Sequence, residues 1–252
     1  MSHSSRRRWI TSAIAATAGV SGIAVAARIA RHHGLIPPDS GTLYGTGATL
    51  TYAAQRLITS HALAREFPRS QMSPAPFVNG PPYQAEDYKR HQAAGFSSWR
   101  LAVDGLVARP GNFSLDQLRS CPASTHITAL TCEEGWSYIA EWTGVPLAHI
   151  LQLAGAAPHA KFVVYSSIEP GWWDSIDMAD ALHPQTLIAH TLNREPLPTG
   201  NGGPLRLRLP RQLGYKSLKY LTRLTVTDNL QSFGKGLGSA GPEAGYSWYA
   251  GI

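Results

Sequence analysis

The run His126-Ile-Thr-Ala-Leu-Thr-Cys132-Glu-Glu-Gly-Trp136-Ser137 decides the fold. Its first half reads as a strand, and that strand ends in a thiol. A polar turn and a tryptophan follow. This order puts the sulfur at the mouth of a sheet rather than in its core. The chain has 2 cysteines, so Cys132 and Cys121 form no zinc set and no Cys-x-x-Cys pair. A single thiolate suits a metal whose other ligands come from a cofactor.

Outward from that run, short strands alternate with short helices. Trp99–Val103 alternates and runs into Asp104-Gly105, a strand entering a turn. Ser114 is a good cap for a short helix over Leu115–Leu118. Val145–Ala154 reads as an amphipathic helix with Pro146 in its first turn and Gly155 past its end. Lys161–Ser166 and Leu187–Thr191 read as strands, and Ile176–Leu182 as a helix stopped by Pro184. Pro204–Pro210 alternates strictly, with Arg206 and Arg208 on one face and leucines on the other. Arg208 is expected on a solvated face. Leu221–Val226 is the last strand. The pattern predicts a mixed α+β fold and not a regular βαβ winding, in a length that suits one large domain or two small ones.

Around this body, residues 77–228, the chain divides further. Residues 32–76 read as a linker with a helix over Ala48–Phe67, and ordered structure is expected from near Phe77. Residues 229–252 form a Gly- and aromatic-rich tail. Residues 1–31 hold Arg6, Arg7, Arg8, Arg28 and Arg31 and no acid, and Ile10–Ala27 is uncharged and weakly apolar. That is the plan of a twin-arginine export signal with a cleavage site at Ala24-Val25-Ala26, or of an N-terminal anchor. The expected location is the periplasm. The net charge of +6 comes mostly from this segment, and the near-neutral remainder excludes a nucleic-acid partner.

Three blocks in order carry a family resemblance. They are Cys132-Glu-Glu-Gly-Trp-Ser137 with Trp142-Thr-Gly-Val-Pro-Leu147, then Asp180–Thr186 with Asn193 and Leu197-Pro198. The third is Asn201-Gly-Gly-Pro-Leu-Arg206 with Leu213-Gly-Tyr-Lys-Ser-Leu-Lys219. From Phe77 to Asp228 the chain resembles the sulfite oxidase superfamily. It is most similar to the bacterial branch of periplasmic protein-methionine-sulfoxide reductase catalytic subunits. The resemblance implies a single-domain, mixed-sheet α+β fold of the sulfite oxidase type and a molybdenum-molybdopterin cofactor, with Cys132 as metal ligand and catalytic residue. It implies cofactor contacts at Asn79, Pro82, Tyr83, Ser167, Asn201, Arg206, Ser217, Leu218 and Lys219. Such a site needs arginine, lysine and backbone N–H groups for the pterin's phosphate and ring edge.

The chain departs from the family at two positions. Asn201 stands where histidine is frequent, and Thr131 where an arginine frequently precedes the cysteine. Both changes bear on potential and substrate preference. No Cys-x-x-Cys-His occurs, so no haem is expected in this chain. Trp172 and Trp173 are expected near the pocket mouth. Glu133 and Glu134 read either as turn-closing acids or as a proton relay. The histidines show no metal spacing, and no hydrolase elbow or phosphate loop is present. The implied activity is two-electron oxygen-atom transfer, leaning to reduction of small-molecule or protein sulfoxides with a separate, possibly membrane-bound, electron partner. Sulfite oxidation and a non-catalytic pterin-binding or assembly role are the alternatives.

Overall fold

The computed structural model describes residues 28–30, 34–43 and 45–252, and the export-type segment falls almost wholly outside them. Two sheets build the body. The first runs β2(Gly111–Ser114), β1(Arg100–Gly105), β10(Leu221–Thr227), β5(Phe162–Ser167), β6(Trp173–Asp177), with β1 and β10 parallel and the other pairs antiparallel. The second runs β3(Ser124–Thr131), β4(Ser137–Pro146), β7(Leu187–Leu192), β8(Glu195–Pro196), and β9(Arg206–Arg208) pairs with β7. The fold is therefore mixed α+β.

Period-two alternation distributes side chains among three clusters. Val163 and Tyr165 of β5 point into the main core with Leu101, Leu224, Ile188, Leu205 and Leu207. Helix α1(Gly45–Ile58) and the C-terminal tail cover the other face of the first sheet. There Tyr52, Trp248 and Tyr249 pack on Val164. On the second sheet Leu130, Tyr138, Ala140, Trp142 and Ala189 form a separate cluster. Arg206 and Arg208 join that face because Leu205, Leu207 and Leu209 take the main core.

The short helices follow local rules. Helix α2 covers Glu86–Ala93. Helix α3(Leu115–Ser120) starts on a capping box, with Ser114 Oγ accepting from Gln117 N–H at 3.1 Å and Gln117 Oε1 accepting from Ser114 N–H at 2.8 Å. Helix α4(Leu147–Ala154) ends at Gly155 in a left-handed cap, φ +70°. Val145 and Pro146 belong to β4 and not to this helix, because their backbone pairs with Ile188 and Leu187. Helix α5(Met178–Ala181) is a single turn, since β6 claims Ile176 and Asp177.

Order does not begin at Phe77. Arg56 of α1 forms ion pairs with Asp177 at 2.7 Å and Asp180 at 2.6 Å, and Tyr52 Oη donates to Asp177 at 2.6 Å. The expected helix stops at Ile58, and Phe67 N–H instead donates to Ile127 O at 2.9 Å. No helix among the described residues is long and apolar enough to cross a membrane.

Candidate cofactor site at the Cys132 turn

The β3–β4 hairpin pairs Ser124 with Gly144 at one end and Thr131 with Ser137 at the other, so its tip is Cys132–Trp136. Cys132 N–H donates to Trp136 O at 2.9 Å, and Gly135 takes φ +88°, which a side chain would oppose. The thiol is buried at 6% exposure, and Sγ–H donates to Glu133 Oε2 at 3.1 Å. Burial, with the Glu133 carboxylate as a further cause, pushes the thiol pKa up to about 11. Glu134 Oε2 accepts from Trp136 Nε1 at 2.8 Å. One ligand atom from each of Cys132, Glu133 and Glu134 lies within 4.8 Å of the others.

The turn Gly214–Lys216 packs against this tip. A Cβ built on Gly214 would stand 3.6 Å from Cys132 Cα and 2.9 Å from Leu130 Cδ2. Lys216, fully buried, holds the turn from behind through an ion pair to Asp174 and a 2.8 Å bond to Ser175 O. The chain then presents Ser217, Leu218 and Lys219. Ser217 O accepts from Arg206 Nε at 2.9 Å, and Ser217 Oγ accepts from Leu209 N–H at 3.1 Å. Leu218 O accepts from Leu207 N–H at 3.0 Å.

Lys219 Nζ donates to Asn79 O at 2.8 Å and Gly200 O at 2.7 Å, which joins the Asn79–Tyr83 loop to the Gly-rich segment before β9. Arg206 Nη1 donates to Asn201 O at 3.0 Å, and Asn201 Nδ2 donates to Phe77 O at 3.2 Å. Gly202 is required here. At φ +97° any Cβ would meet the Lys219 stem at 2.7 Å. Tyr83 N–H donates to Tyr220 Oη at 3.1 Å, and Pro82 lies beside it in the loop. Ser167 closes the far side. Its N–H donates to Trp172 O and its Oγ accepts from Glu169 N–H, each at 3.0 Å. Ile168 N–H reaches Tyr220 O at 3.0 Å. Tyr220 itself has φ +55°, a strained backbone for a non-glycine residue beside this cluster.

The charge balance of the cluster is uneven. Among the described residues no carboxylate lies within ion-pair distance of Arg206, Arg208 or Lys219. Burial, aided by the Arg206 charge, pulls the Lys219 pKa down to about 8. Burial also lowers that of Arg206. Buried cations without acids are costly unless an anion arrives. The donor set therefore fits an anionic group with a phosphate end, held beside one thiolate.

Some functional neighbours escaped the sequence reading. Arg208 is buried, not solvated, because β9 is covered on both faces. Tyr138 and Trp142 share its face, as the alternation Tyr138-Ile-Ala-Glu-Trp142 could have shown. Trp173 is not at the site. Strand β6 turns it toward Phe233 under the tail, centroids 6.2 Å apart. The aromatics at the hairpin tip are Trp136, stacked 6.0 Å from Tyr138, and Phe77, packed 4.6 Å from Trp136. Cys121 caps α3, its Sγ–H donating to Gln117 O at 3.3 Å. A groove of about 610 Å³ lined by Leu43, Gly47, Thr51 and Tyr249 contains none of these residues.

Residues 88–233 match the oxidoreductase molybdopterin binding domain. The chain belongs to this family. YedZ1 of Azospira oryzae, provisionally named a protein-methionine-sulfoxide reductase subunit, is 37% identical over 77% of this chain and 70% of its own length. The catalytic subunit MsrP of Gluconobacter oxydans is 30% identical over 88% of this chain and 70% of its own. MsrP of Xanthomonas campestris is 34% identical over 53% of this chain and 46% of its own, so the chain spans about half of that relative. The sulfane dehydrogenase SoxCD of Paracoccus pantotrophus shares the fold, with TM-score 0.51 and 25% identity over 53% of this chain and 39% of that one. The chain is thus a molybdopterin-binding oxidoreductase of the sulfite oxidase superfamily.

Proposed function

We propose that this chain is the catalytic unit of an exported molybdenum enzyme that reduces sulfoxide-type substrates. One observation carries the reading: a lone buried thiol at a hairpin tip stands against buried cations that have no acid partners. The names of the relatives, methionine-sulfoxide reductase subunits, support the direction. Their naming as subunits supports a separate electron donor. The N-terminal arginines followed by an uncharged apolar stretch support export to the periplasm. Electrons then arrive from a partner chain, and no haem is assigned to this one.

When bound, the molybdenum-pterin group supplies two-electron oxygen-atom transfer. The protein's tasks are binding, orientation and proton handling. Cys132 is the single protein thiolate for the metal. Glu133 Oε2 accepts the thiol hydrogen bond and would take up the proton that Cys132 has to lose in order to hold the metal as a thiolate. Arg206 and Lys219 supply charge for the phosphate end, and the backbone and side chains of Asn79, Pro82, Tyr83, Ser167, Asn201, Ser217 and Leu218 line the pterin. Phe77 and Trp136 give the mouth an apolar wall, which suits a thioether-like substrate. Sulfite oxidation is the second reading, favoured by the paired guanidinium groups of Arg206 and Arg208.

The test is metal and pterin analysis of wild type and Cys132→Ser, with methionine sulfoxide reduction and sulfite oxidation assayed side by side. Molybdenum and sulfoxide reduction are expected in wild type, with activity lost in the variant. Equal activity in both proteins, or wild type without molybdenum after expression in a cofactor-making host, overturns the proposal. Sulfite turnover alone moves the assignment to the second reading.

A further inference from the structure

Arg206 and Arg208 leave β9 on one face, opposite Ala189 and Leu187 of β7. Both guanidinium groups lie over the Trp142 ring, at 5.6 and 5.4 Å from its centroid. The resemblance gives Arg206 a role and gives Arg208 none. Yet Arg208 is 1% exposed, and of its three guanidinium nitrogens only Nη2 has hydrogen-bond partners. Nη2 donates to Thr128 Oγ1 at 3.1 Å and also to Ala129 O. Nε and Nη1 are buried without a hydrogen-bond partner. Tyr138 Oη and Trp142 Nε1 are buried and unpartnered too, and the two rings are 6.2 Å apart.

This is an unusual concentration of unmet donors. A buried guanidinium almost always finds a carboxylate, a carbonyl set or water. Contact with the indole face offsets some of the charge but satisfies no N–H. Burial pulls the Arg208 pKa to about 9, so it stays charged at neutral pH. Arg206 next to it adds a like charge, which raises the cost further. The planar fork of Nε and Nη1 matches two oxygens of a tetrahedral anion.

We infer that Arg208, with Tyr138 and Trp142, forms an oxyanion site that takes a phosphate- or sulfate-type group on the face of the β3–β4 hairpin that leads to Cys132. The donors are closed off from solvent, so an anion reaches them only when a neighbouring ring, Tyr138 or Trp142, moves aside. The occupant has two chemical sources. One is the phosphate end of the pterin, which makes Arg208 part of cofactor retention. The other is a free oxyanion, a substrate or product of the same shape. The first source rests on the molybdopterin reading; the second does not.

The experiment compares wild type, Arg208→Met and Arg208→Lys, each prepared without cofactor and loaded. Thermal midpoints are read during titration with sodium sulfate against sodium chloride at matched ionic strength. Cofactor-free wild type is expected to be stabilised saturably by sulfate, and Arg208→Met clearly less, with only the response of Arg206 and Lys219 left. Without sulfate, cofactor-free Arg208→Met should melt above wild type, because an uncompensated charge is gone. If the pterin phosphate is the occupant, loading abolishes the sulfate response and Arg208→Met releases cofactor roughly tenfold faster. If a free oxyanion is the occupant, loaded wild type keeps the response and loaded Arg208→Met lacks it. Arg208→Lys retains a weaker response, which guards against a folding defect in the methionine variant. Equal sulfate shifts in wild type and Arg208→Met, cofactor-free and loaded alike, overturn the inference. Failure of the molybdopterin reading shows separately, as wild type without molybdenum.

Discussion

Lys219 illustrates how much one side chain does at this site. Its ammonium bridges Asn79 O and Gly200 O, and burial leaves it with a pKa of about 8. An arriving phosphate favours the charged form, so binding draws a proton onto Lys219 once the pH exceeds that value. The contribution of Lys219 to cofactor affinity is therefore expected to be flat below pH 8 and to fall as pH rises through it, against the rise that loss of the Cys132 proton brings in every variant alike. Lys219→Arg keeps its charge across this range and should flatten the profile, although its fork will not reproduce both carbonyl bonds. Equilibrium retention of pterin from pH 7 to 10 reads this directly, and an unchanged slope in the arginine variant would count against it. Gly202 serves the same lysine. Gly202→Ala puts a Cβ 2.7 Å from the Lys219 stem at φ +97°, a change expected to cost on the order of 1–3 kcal/mol. Denaturant unfolding gives the stability loss, and pterin content should drop with it because Lys219 must move.

The element that places these residues is the turn Gly214–Lys216, and Lys216 is its anchor. Its ammonium is fully buried, paired with Asp174 on β6 and bonded to Ser175 O, while Tyr165 Oη donates to its carbonyl at 2.9 Å. Lys216→Met leaves Asp174 buried without its cation, which typically costs about 3–5 kcal/mol. The double variant with Asp174→Asn should recover part of that loss in chemical denaturation; full additivity would mean that the pair is not coupled. The strand leading to Cys132 and the turn after it were legible from sequence because their signals are local, a β-rich run and a Glu-Glu-Gly turn; the returning strand β4 was not read, although Tyr138-Ile-Ala-Glu-Trp142 alternates. The lysine anchor was not legible, because it depends on β6, whose start at Trp173-Asp174 reads as a turn-rich segment and whose end at Ile176-Asp177 reads as the start of a helix until the backbone is paired with β5. Val145-Pro146 misled for the same reason, since proline marks a helix start as readily as a strand end. For Arg208 the alternation gave the correct face, but it carries no information on whether that face is covered.

Across the whole molecule, burial of charge ties the N-terminal helix to the cofactor side. Arg56 of α1 reaches Asp177 and Asp180, and Arg211 stands 3.6 Å from Asp180. Gln212 Nε2 donates to the same Asp180 at 2.5 Å, and Gln212 Oε1 accepts from Ala250 N–H at 3.1 Å in the tail. Two residues beyond Gln212 lies Gly214, against Cys132. A line of hydrogen bonds and ion pairs thus runs from α1 through a buried acid to Gln212, two residues before the glycine that packs against the Cys132 turn. Arg56→Met removes the cation that faces both acids. The expected loss is about 3–5 kcal/mol, read from denaturant midpoints. By contrast Leu57→Ser, on the exposed side of the same helix, should stay within about 0.5 kcal/mol. If the chain of bonds transmits order, Arg56→Met will also lose cofactor more readily than its stability alone accounts for. The comparison is with Ser114→Ala, which removes the α3 cap for about 1 kcal/mol, lowers stability elsewhere, and touches none of these groups. Pterin retention that tracks global stability equally in both variants would show that α1 is a brace for the fold and has no closer link to the thiol.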